Sequence, residues 1–351
     1  MAFCLVTGGA GFIGSHLVEA LVNRRHQVRV LDDLSTGRRG NLAAVQNEIE
    51  FIEGDASERA IVRLAVRGVD VIFHLASPNL HLESVSDPVA IHHACGTATL
   101  QLLHAAHEAQ VRRVVYVGTA AVYRDDDDQP RDECDATQPR TIHATAKLAG
   151  EHYCSAFSQS QGLETVRLRL FQVFGPRQVS ESPHASVVAR FLHCMCRGNR
   201  PLIFSDGYQL RDFTSVEDVV QANLLAMDAP RVAGKVYNIA SGHAVTVLDL
   251  IRTINRLLGA HLVPSLAAAR PGEPRHQVAN IHRAQKELGF CPCTDLARDL
   301  RRCVDESSAS APLLPKNTPI RPGPVHHRTD GPASPFAKPP RRGRNRSTRE
   351  P

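Results

Sequence analysis

The feature that most constrains the fold is a glycine-rich turn near the N-terminus. A short apolar run is followed by Gly8, Gly11 and Gly14, and an amphipathic segment begins directly after them. Glycines at this spacing allow a tight turn, let backbone N–H groups approach a pyrophosphate, and permit close packing of a helix on a strand. The turn therefore predicts a strand-to-helix unit that binds a dinucleotide, with Phe12 and Ile13 completing the binding loop.

An acidic pair at the end of the second apolar run indicates which dinucleotide is preferred. Asp32 and Asp33 follow the glycine turn by about twenty residues, where a carboxylate can accept hydrogen bonds from the adenosine ribose. Such a carboxylate repels a 2′-phosphate, so the sequence favours NAD over NADP. Arg38 and Arg39 are the argument for NADP, and they carry less weight because they lie beyond the end of the run.

Short β-branched runs alternate with helical patterns through the first half of the chain. This alternation is typical of crossover units around a parallel sheet. The predicted strands are 3–7, 27–32, 50–53, 69–75, 113–118 and 165–170, and the predicted helices between them are 15–23, 57–66 and 91–109.

The regular alternation ends after Gly175 and Pro176. Helical patterns at 186–196, 216–227 and 247–257 and short strands at 202–204 and 236–239 follow. The predicted fold is α/β, a Rossmann-type doubly wound parallel sheet over residues 1–174. A smaller substrate-binding lobe is predicted over 175–306, with some of its segments returning to the first domain.

The chain ends in a basic, proline-rich segment, 307–351. It holds nine lysines and arginines against two acidic residues, together with ten prolines. A segment of this composition cannot form a packed core, so we predict a disordered tail. The tail could touch nucleic acid or other anions through unspecific charge attraction, although a solvated extension is the favoured interpretation.

Composition narrows the class of protein. A chain of 351 residues with 42% hydrophobic content can bury a sizeable core. No run approaches the roughly 20 apolar residues of a membrane-spanning helix, and the first residues lack the pattern of an export signal, which predicts a cytoplasmic protein. The nine cysteines are expected to be free thiols, and because their closest pairs are C-x-C, no metal site is predicted.

Two further strand ends carry candidate cofactor contacts. Asp55 and Ala56 come just after the third predicted strand, where they are placed to meet the adenine edge. Leu75 and Ala76 end the fourth strand on the nicotinamide side. Either pair could also be an ordinary strand end without a ligand.

These motifs and several downstream ones together resemble the extended short-chain dehydrogenase/reductase family, and within it the nucleotide-sugar epimerases and dehydratases. The resemblance runs from about residue 3 to residue 304. Its markers are Thr7-Gly8-Gly9-Ala10-Gly11-Phe12-Ile13-Gly14, Asp32, Gly54-Asp55, His74-Leu75-Ala76, Val122-Tyr123, Lys147-Leu148-Ala149-Gly150-Glu151, Gly175-Pro176-Arg177-Gln178, Arg211-Asp212-Phe213 and Arg270-Pro271-Gly272-Glu273.

The resemblance implies a catalytic group that this chain has altered. Family members usually oxidise a sugar hydroxyl with a tyrosine base, a serine or threonine, and a lysine four residues after the tyrosine. The lysine is Lys147, which the resemblance also places at the cofactor. Thr119 supplies the hydroxyl of the usual serine or threonine. His143 stands where the tyrosine is expected, on the same helical face as the lysine.

His143 is either a working base or a bystander at the start of a helix. A neutral imidazole beside the Lys147 ammonium is competent as a base. Its reach is shorter than that of a phenol by roughly 2 Å, so we expect a bridging water and weakened chemistry. Tyr123 lies at a strand end and is interpreted as structural, and the acidic run 125–128 as solvated.

Three more positions near the same pocket depart from the family pattern. Gly118 stands where a serine is usual, His93 where an asparagine is usual near the nicotinamide, and Gln172 where an asparagine is usual before the Gly175-Pro176 turn. None of these changes touches the glycine turn. We therefore expect intact NAD binding with altered or weakened chemistry.

The residues after Thr119 favour one reaction of the family. Dehydratases usually follow this threonine with acidic residues that protonate the leaving hydroxyl, whereas here Ala120 and Ala121 follow it. C4 epimerisation of a UDP-hexose through a 4-keto intermediate fits better. An NAD-binding protein with impaired catalysis, or a dehydratase or reductase of the same family, are the alternatives.

The resemblance also implies contacts to a nucleotide-sugar substrate and an oligomeric state. Arg211 and Arg270 are expected beside the diphosphate and Glu273 near the ribose, with Gln172 and the weaker candidate Arg177 also in the substrate site. A homodimer through a two-helix face that includes the His143 helix is usual for the family.

Overall fold

The structure, a computed structural model, describes residues 1–77, 87–124, 129–179, 185–269 and 274–310, with side chains described as far as residue 306. The strands are β1 Phe3–Thr7, β2 Gln27–Asp32, β3 Ile49–Glu53, β4 Val71–His74, β5 Arg113–Thr119, β6 Glu164–Leu170, β7 Val173–Phe174, β8 Leu202–Phe204, β9 Leu210–Asp212, β10 Thr214–Ser215, β11 Lys235–Ile239, β12 Ala244–Thr246, β13 Ser265–Ala267 and β14 His276–Gln277. The helices are α1 Phe12–Asn23, α2 Arg59–Ala65, α3 Pro88–His92, α4 Ala98–Glu108, α5 Ile142–Ser160, α6 Val187–Met195, α7 Val216–Asp228, α8 Val247–Leu258, α9 His282–Leu288 and α10 Leu296–Ser310.

Seven parallel strands form the main sheet, in the order β11-β6-β5-β4-β1-β2-β3. Successive connections change direction between β1 and β4, which leaves a crevice at the carboxyl ends of these strands, where doubly wound sheets bind their ligands. The predicted α/β doubly wound parallel sheet is confirmed. The segment 236–239 was predicted as a strand of the lobe, whereas β11 pairs with β6 and forms an edge of the main sheet.

Strand β1 shows how the sheet is buried on both faces. Leu5 shares a hydrophobic cluster with Val62 of α2 and Leu102 of α4. Val6 shares another with Leu17 of α1 and with residues of α7. Because successive side chains of a strand point to opposite faces, the continuous apolar runs supply both layers of the core.

A separate hydrophobic cluster lies in the C-terminal part of the chain. Helices α6, α8 and α10 contribute Leu192, Ile251 and Leu300 to it, beside Phe174 and Phe213, whose ring centroids are 6.5 Å apart. This part also contains small sheets, β8 with β13 and β9 with β12 and β14, and Ile203 of β8 joins the cluster. The expected lobe, 175–306, stays a prediction as a domain; within this range, β11 belongs to the main sheet and α7 packs against that sheet. The boundary at residue 174 stays a prediction.

Helix α10 extends to Ser310, so the first four residues assigned to the tail are helical. The rest of the tail and its predicted disorder lie outside the described residues. Within the described ranges, no helix combines the length and the hydropathy needed to cross a membrane. The cytoplasmic location stays a prediction.

Candidate active site

One cavity of about 680 Å³ runs along the carboxyl ends of the central strands and reaches the C-terminal part of the chain. It brings together residues that the sequence analysis took from distant parts of the chain. The site residues predicted from the sequence that line it are Gly8, Gly11, Phe12, Ile13, Gly14, Asp32, Asp33, Asp55, Ala56, Leu75, Ala76, Thr119, His143, Lys147, Gln172 and Arg211. Arg270 and Glu273 lie outside the described residues.

The glycine turn makes one wall of the cavity out of backbone. Gly8 has a φ of 70°, in the left-handed region, and a Cβ there would lie 2.8 Å from the backbone nitrogen of Ala76. A Cβ at Gly14 would overlap the carbonyl oxygen of Gly8. Helix α1 begins after Gly11, and because a glycine has no side chain, this N-cap residue does not cap the first N–H groups of the helix. The first turn of α1 therefore offers backbone N–H groups and the positive end of a helix dipole to an anion, which fits a pyrophosphate.

Asp32 is hydrogen-bonded to the glycine turn. Its Oδ2 accepts the Ala10 N–H at 2.8 Å, and its Oδ1 accepts the Leu34 N–H at 2.9 Å. Burial raises the pKa of this carboxyl, and the two backbone N–H donors act in the opposite direction. Arg39, part of the argument for NADP, pairs with Glu53 at 2.7 Å. The carboxylate thus stays at the cavity wall in the position that favours a free ribose diol.

A chain of hydrogen bonds through His74 connects β1, which precedes the glycine turn, to α4 and to the segment after β4. Thr99 donates its hydroxyl proton to the Cys95 carbonyl oxygen at 2.5 Å, so its oxygen must accept the proton of His74 Nε2, 3.0 Å away. His74 Nδ1 then accepts from the Thr7 hydroxyl at 2.8 Å, and that oxygen accepts the Ala76 N–H at 3.2 Å.

This chain needs a neutral imidazole, because each ring nitrogen of His74 already has one role. Complete burial and the nearby Lys147 ammonium lower the pKa of His74 to about 3. The network holds Leu75 and Ala76 against the Gly8 turn. Both residues line the cavity, as the sequence analysis expected.

Helix α5 carries His143 and Lys147, which stand at the positions of the tyrosine and the lysine usual in the family. Thr141 caps it by accepting the Ala144 N–H at 3.1 Å. Lys147, one turn after His143, is 4% exposed, and its Nζ donates to the Val117 carbonyl oxygen at 3.1 Å. Burial lowers the pKa of this lysine. The same face of the helix thus presents an imidazole and a buried amine to the cavity.

A buried ion pair anchors α5 to the sheet one turn further on. Glu151 and Arg169 of β6 are almost fully buried, with Arg169 Nη2 2.8 Å from Glu151 Oε2 and Nε within 3.1 Å of both carboxylate oxygens. Gly150 lies so close to the Tyr116 hydroxyl that a Cβ would overlap it. The position of α5 against the sheet is therefore closely defined.

His143 is half-buried, and its Nε2 lies 3.1 Å from the hydroxyl oxygen of Ser77. Ser77 follows Ala76 directly and also lines the cavity. On its other side, the Ser77 oxygen is 3.6 Å from the Cys95 sulfur. Sequence reasoning placed Leu75 and Ala76 beside the cofactor but did not connect Ser77 to His143, because these two residues are 66 positions apart and belong to different elements.

Thr119 ends β5 at the cavity wall. Its hydroxyl oxygen accepts the Ala121 N–H at 3.2 Å and begins the 3-10 turn Ala120–Val122. Tyr123, directly after this turn, donates its hydroxyl proton to Asn238 Oδ1 at 2.5 Å. Burial raises the pKa of Tyr123. Its hydroxyl joins the turn after β5 to β11, which agrees with a structural role.

Of the two described arginines that were predicted to contact the substrate, Arg211 lines the cavity and Arg177 does not. Arg211 is 4% exposed and lines the cavity, and Gln172 donates to the Gln277 side-chain oxygen at 3.0 Å beside it. Arg177 is not among the lining residues, because its guanidinium pairs with Glu19 at 2.7 Å. The π-helical turn His93–Thr97 brings Ala94, not His93, to the cavity.

Four lining arginines were not identified from the sequence, namely Arg124, Arg131, Arg140 and Arg190. The first three lie between β5 and α5, and the fourth lies on α6. Arg140, three residues before His143, is a signal that the sequence offered, a cation just before the helix that carries His143. Among the described lining residues, the acidic ones all belong to the glycine-turn end.

Residues 4–240 match the model of the NAD dependent epimerase/dehydratase family. The chain belongs to this family. NAD is accordingly its cofactor, as Asp32 predicted, and the resemblance to the nucleotide-sugar epimerases and dehydratases is confirmed.

Members of the family with different reactions are similar to this chain. The UDP-glucose 4-epimerase of Mycolicibacterium smegmatis is 34% identical over 86% of this chain and 97% of its own length. The UDP-N-acetylglucosamine 4-epimerase of Methanobrevibacter ruminantium, solved with UDP-N-acetylmuramic acid, has a TM-score of 0.84 at 31% identity and covers 88% of this chain and 99% of its own. A dTDP-glucose 4,6-dehydratase of Streptomyces venezuelae, solved with NAD, has a TM-score of 0.81 at 28% identity over 88% and 97%.

Proposed function

We propose that this protein interconverts the C4 epimers of a UDP-hexose through a 4-keto intermediate. The observation that carries the proposal is the pair Ala120 and Ala121, which lines the cavity directly after Thr119. In the dehydratases that the chain resembles, acidic residues at this place protonate the leaving hydroxyl. Two methyl groups cannot donate a proton, so elimination lacks its acid, whereas oxidation and reduction at C4 need none there.

Different residues of the cavity would bind different parts of NAD. The glycine turn would hold the pyrophosphate of NAD, Asp32 the adenosine ribose, and Lys147 the nicotinamide ribose. When bound, NAD supplies the acceptor and then the donor of the hydride at C4. The Lys147 ammonium, fixed by the Val117 carbonyl, keeps two further N–H donors for this end of the cavity.

Thr119 at the end of β5 and His143 at the start of α5 would handle the proton of the sugar hydroxyl. The hydroxyl of Thr119 can hydrogen-bond to the sugar oxygen, and the imidazole of His143 can take the proton and return it. Arg211 would bind the diphosphate of the nucleotide, and Gln172 would contact the substrate beside it. Arg270 and Glu273 stay predictions as substrate-binding residues.

The replacement of tyrosine by His143 favours a second candidate, an NAD-binding protein without turnover. We would incubate the purified protein with UDP-galactose, UDP-N-acetylgalactosamine and UDP-galacturonate, and identify the products by chromatography and NMR. The proposal expects the C4 epimer of at least one of them. A 4-keto-6-deoxy product would indicate a dehydratase, and bound NAD without any product would favour the second candidate.

The predicted homodimer is part of the same proposal. In this family the dimer usually forms through the helix that here carries His143. Light scattering on the purified protein measures the molar mass in solution. Twice the mass of 38.4 kDa is the expected result, and a monomer at micromolar concentration would contradict it.

A further inference from the structure

The contact between His143 and Ser77 is unexplained by any motif in the sequence. The two atoms, Nε2 and Oγ, are 3.1 Å apart, which is a hydrogen-bond distance. Both side chains line the cavity, one from the start of α5 and the other from the segment after β4. This segment is held in place by the His74 network, which fixes Ala76 directly before Ser77.

The length of the histidine side chain makes this contact relevant to catalysis. An imidazole ends about 2 Å short of the place that a phenol oxygen would reach, and proton abstraction requires heavy atoms within about 3 Å. The Ser77 oxygen lies one hydrogen bond beyond Nε2 and on the cavity wall. It therefore occupies the kind of position that a bridging water would otherwise have to fill.

The hydrogen-bonding capacity of Ser77 suits a relay. A serine hydroxyl has one proton to donate and two lone pairs with which to accept. If it donates to His143 Nε2, it can still accept from the Cys95 thiol, 3.6 Å away, and from one more donor. A sugar hydroxyl in the cavity is such a donor.

We propose that Ser77 carries the proton between the C4 hydroxyl of the sugar and His143, so that the two residues together replace the family's tyrosine; this inference rests on the proposed function. In the oxidation step, the sugar O–H proton passes to Ser77 Oγ while the proton of Ser77 passes to Nε2. With NAD bound, the C4 hydrogen would leave as a hydride to the oxidised cofactor, and the electron pair of the broken O–H bond would form the C=O bond. The imidazolium then returns the proton along the same path when the ketone is reduced.

Ser77→Ala tests the relay by kinetics, with Ser265→Ala as the matched control, since Ser265 belongs to β13 and is not among the residues that line the cavity. We expect Ser77→Ala to lower kcat by about 10- to 100-fold and to leave the bound NAD and KM nearly unchanged. In a His143→Tyr background the same serine change should have little effect on kcat, because a phenol reaches the sugar without help. An undiminished kcat in Ser77→Ala, or an equal loss in both backgrounds, would overturn the relay.

NMR on histidine-labelled protein tests the relay without turnover. The ¹⁵N signals of His143, assigned by their loss in His143→Gln, report which ring nitrogen carries the proton. The relay requires an unprotonated Nε2 at neutral pH, and Ser77→Ala should shift that signal. A protonated Nε2 that donates to Ser77 would overturn it.

The kinetic variants also separate this inference from the proposed function. If the wild-type protein epimerises a UDP-hexose and Ser77→Ala is as active as the wild type, the proposed function stands and the relay is wrong. If both proteins bind NAD and neither gives a C4 epimer, the proposed function fails and the relay fails with it.

Discussion

At the glycine-turn end, the cavity wall is built largely from backbone and from the buried carboxylate of Asp32, whereas at the α5 end it is built from side chains of several elements. Asp32 and His74 hold the first end through hydrogen bonds to backbone N–H groups and to neighbouring hydroxyls. His143, Ser77 and Thr119 make up the second end. A backbone-built site tolerates few substitutions without loss of shape, while a site of side chains can change its chemistry and keep the fold.

The largest expected effect lies under the α5 end, in the ion pair that anchors this helix. Glu151→Gln leaves the buried Arg169 guanidinium without its charge partner, and we expect the free energy of unfolding to fall by about 3–5 kcal/mol. Denaturant titration measures the change. The exposed pair of Arg63 and Glu108 supplies the control, since Glu108→Gln should leave the free energy of unfolding nearly unchanged. Equal losses in the two variants would mean that burial does not make the difference.

A methyl group at Gly14 tests whether the glycine-turn end depends on close backbone packing. Gly14→Ala places a Cβ on the Gly8 carbonyl oxygen, so the turn must open. We expect NAD affinity to fall by about 100-fold, or about 2.7 kcal/mol, as measured by calorimetry. Gly40→Ala is the control, because nothing lies within 4 Å of a Cβ there. Unchanged NAD affinity in Gly14→Ala would remove the contrast between the two ends.

The His74 network predicts a pH dependence of stability. In the folded protein the pKa of His74 is about 3, below its ordinary value of 6.5. Between pH 6.5 and pH 3, His74 is therefore protonated in the unfolded chain and neutral in the folded protein. Stability should therefore fall as the pH drops from 6.5 towards 3, by at most about 1.4 kcal/mol per pH unit from this residue. His74→Gln should show a shallower slope in denaturant titrations at pH 7, 6 and 5. An equal slope in both proteins would contradict a neutral, buried His74.

The smallest predicted effect distinguishes two arginines at the substrate end. Arg211→Ala should weaken UDP binding by about tenfold, since a charge-assisted contact to phosphate is lost. Arg177→Ala removes only a partly exposed pair with Glu19 and should change UDP affinity by less than about twofold. Calorimetry with UDP measures both. A larger effect of Arg177→Ala would mean that Arg177 contacts the substrate, as the sequence pattern predicted.

Sequence reasoning predicted the glycine-turn end because its signals are local. The spacing of Gly8, Gly11 and Gly14 and the position of Asp32 follow from one strand-turn-helix unit, so both the fold and the cofactor could be inferred. The helix predicted over 91–109 is interrupted in the structure by the π-helical turn His93–Thr97, for which the helical pattern gave no signal. This turn brings Cys95 towards Ser77.

The α5 end was predicted only in part because its contacts join distant segments. The pattern placed His143 and Lys147 on one helical face, and both line the cavity. It could not show that Ser77 meets His143, since this depends on how β4 and α5 pack around β5. Strand β11 was likewise assigned to the lobe, because pairing with β6 is a property of the sheet and not of its own sequence.

The most direct test of the central claim follows the hydrogen at C4. UDP-galactose deuterated at C4 would be incubated with purified protein whose NAD content has been measured, and the product analysed by NMR. Epimerisation with hydride return predicts UDP-glucose that keeps the deuterium at C4, formed by protein that holds about one NAD per chain. Bound NAD with no change in the sugar, or a product that has exchanged its deuterium with solvent, would contradict the account.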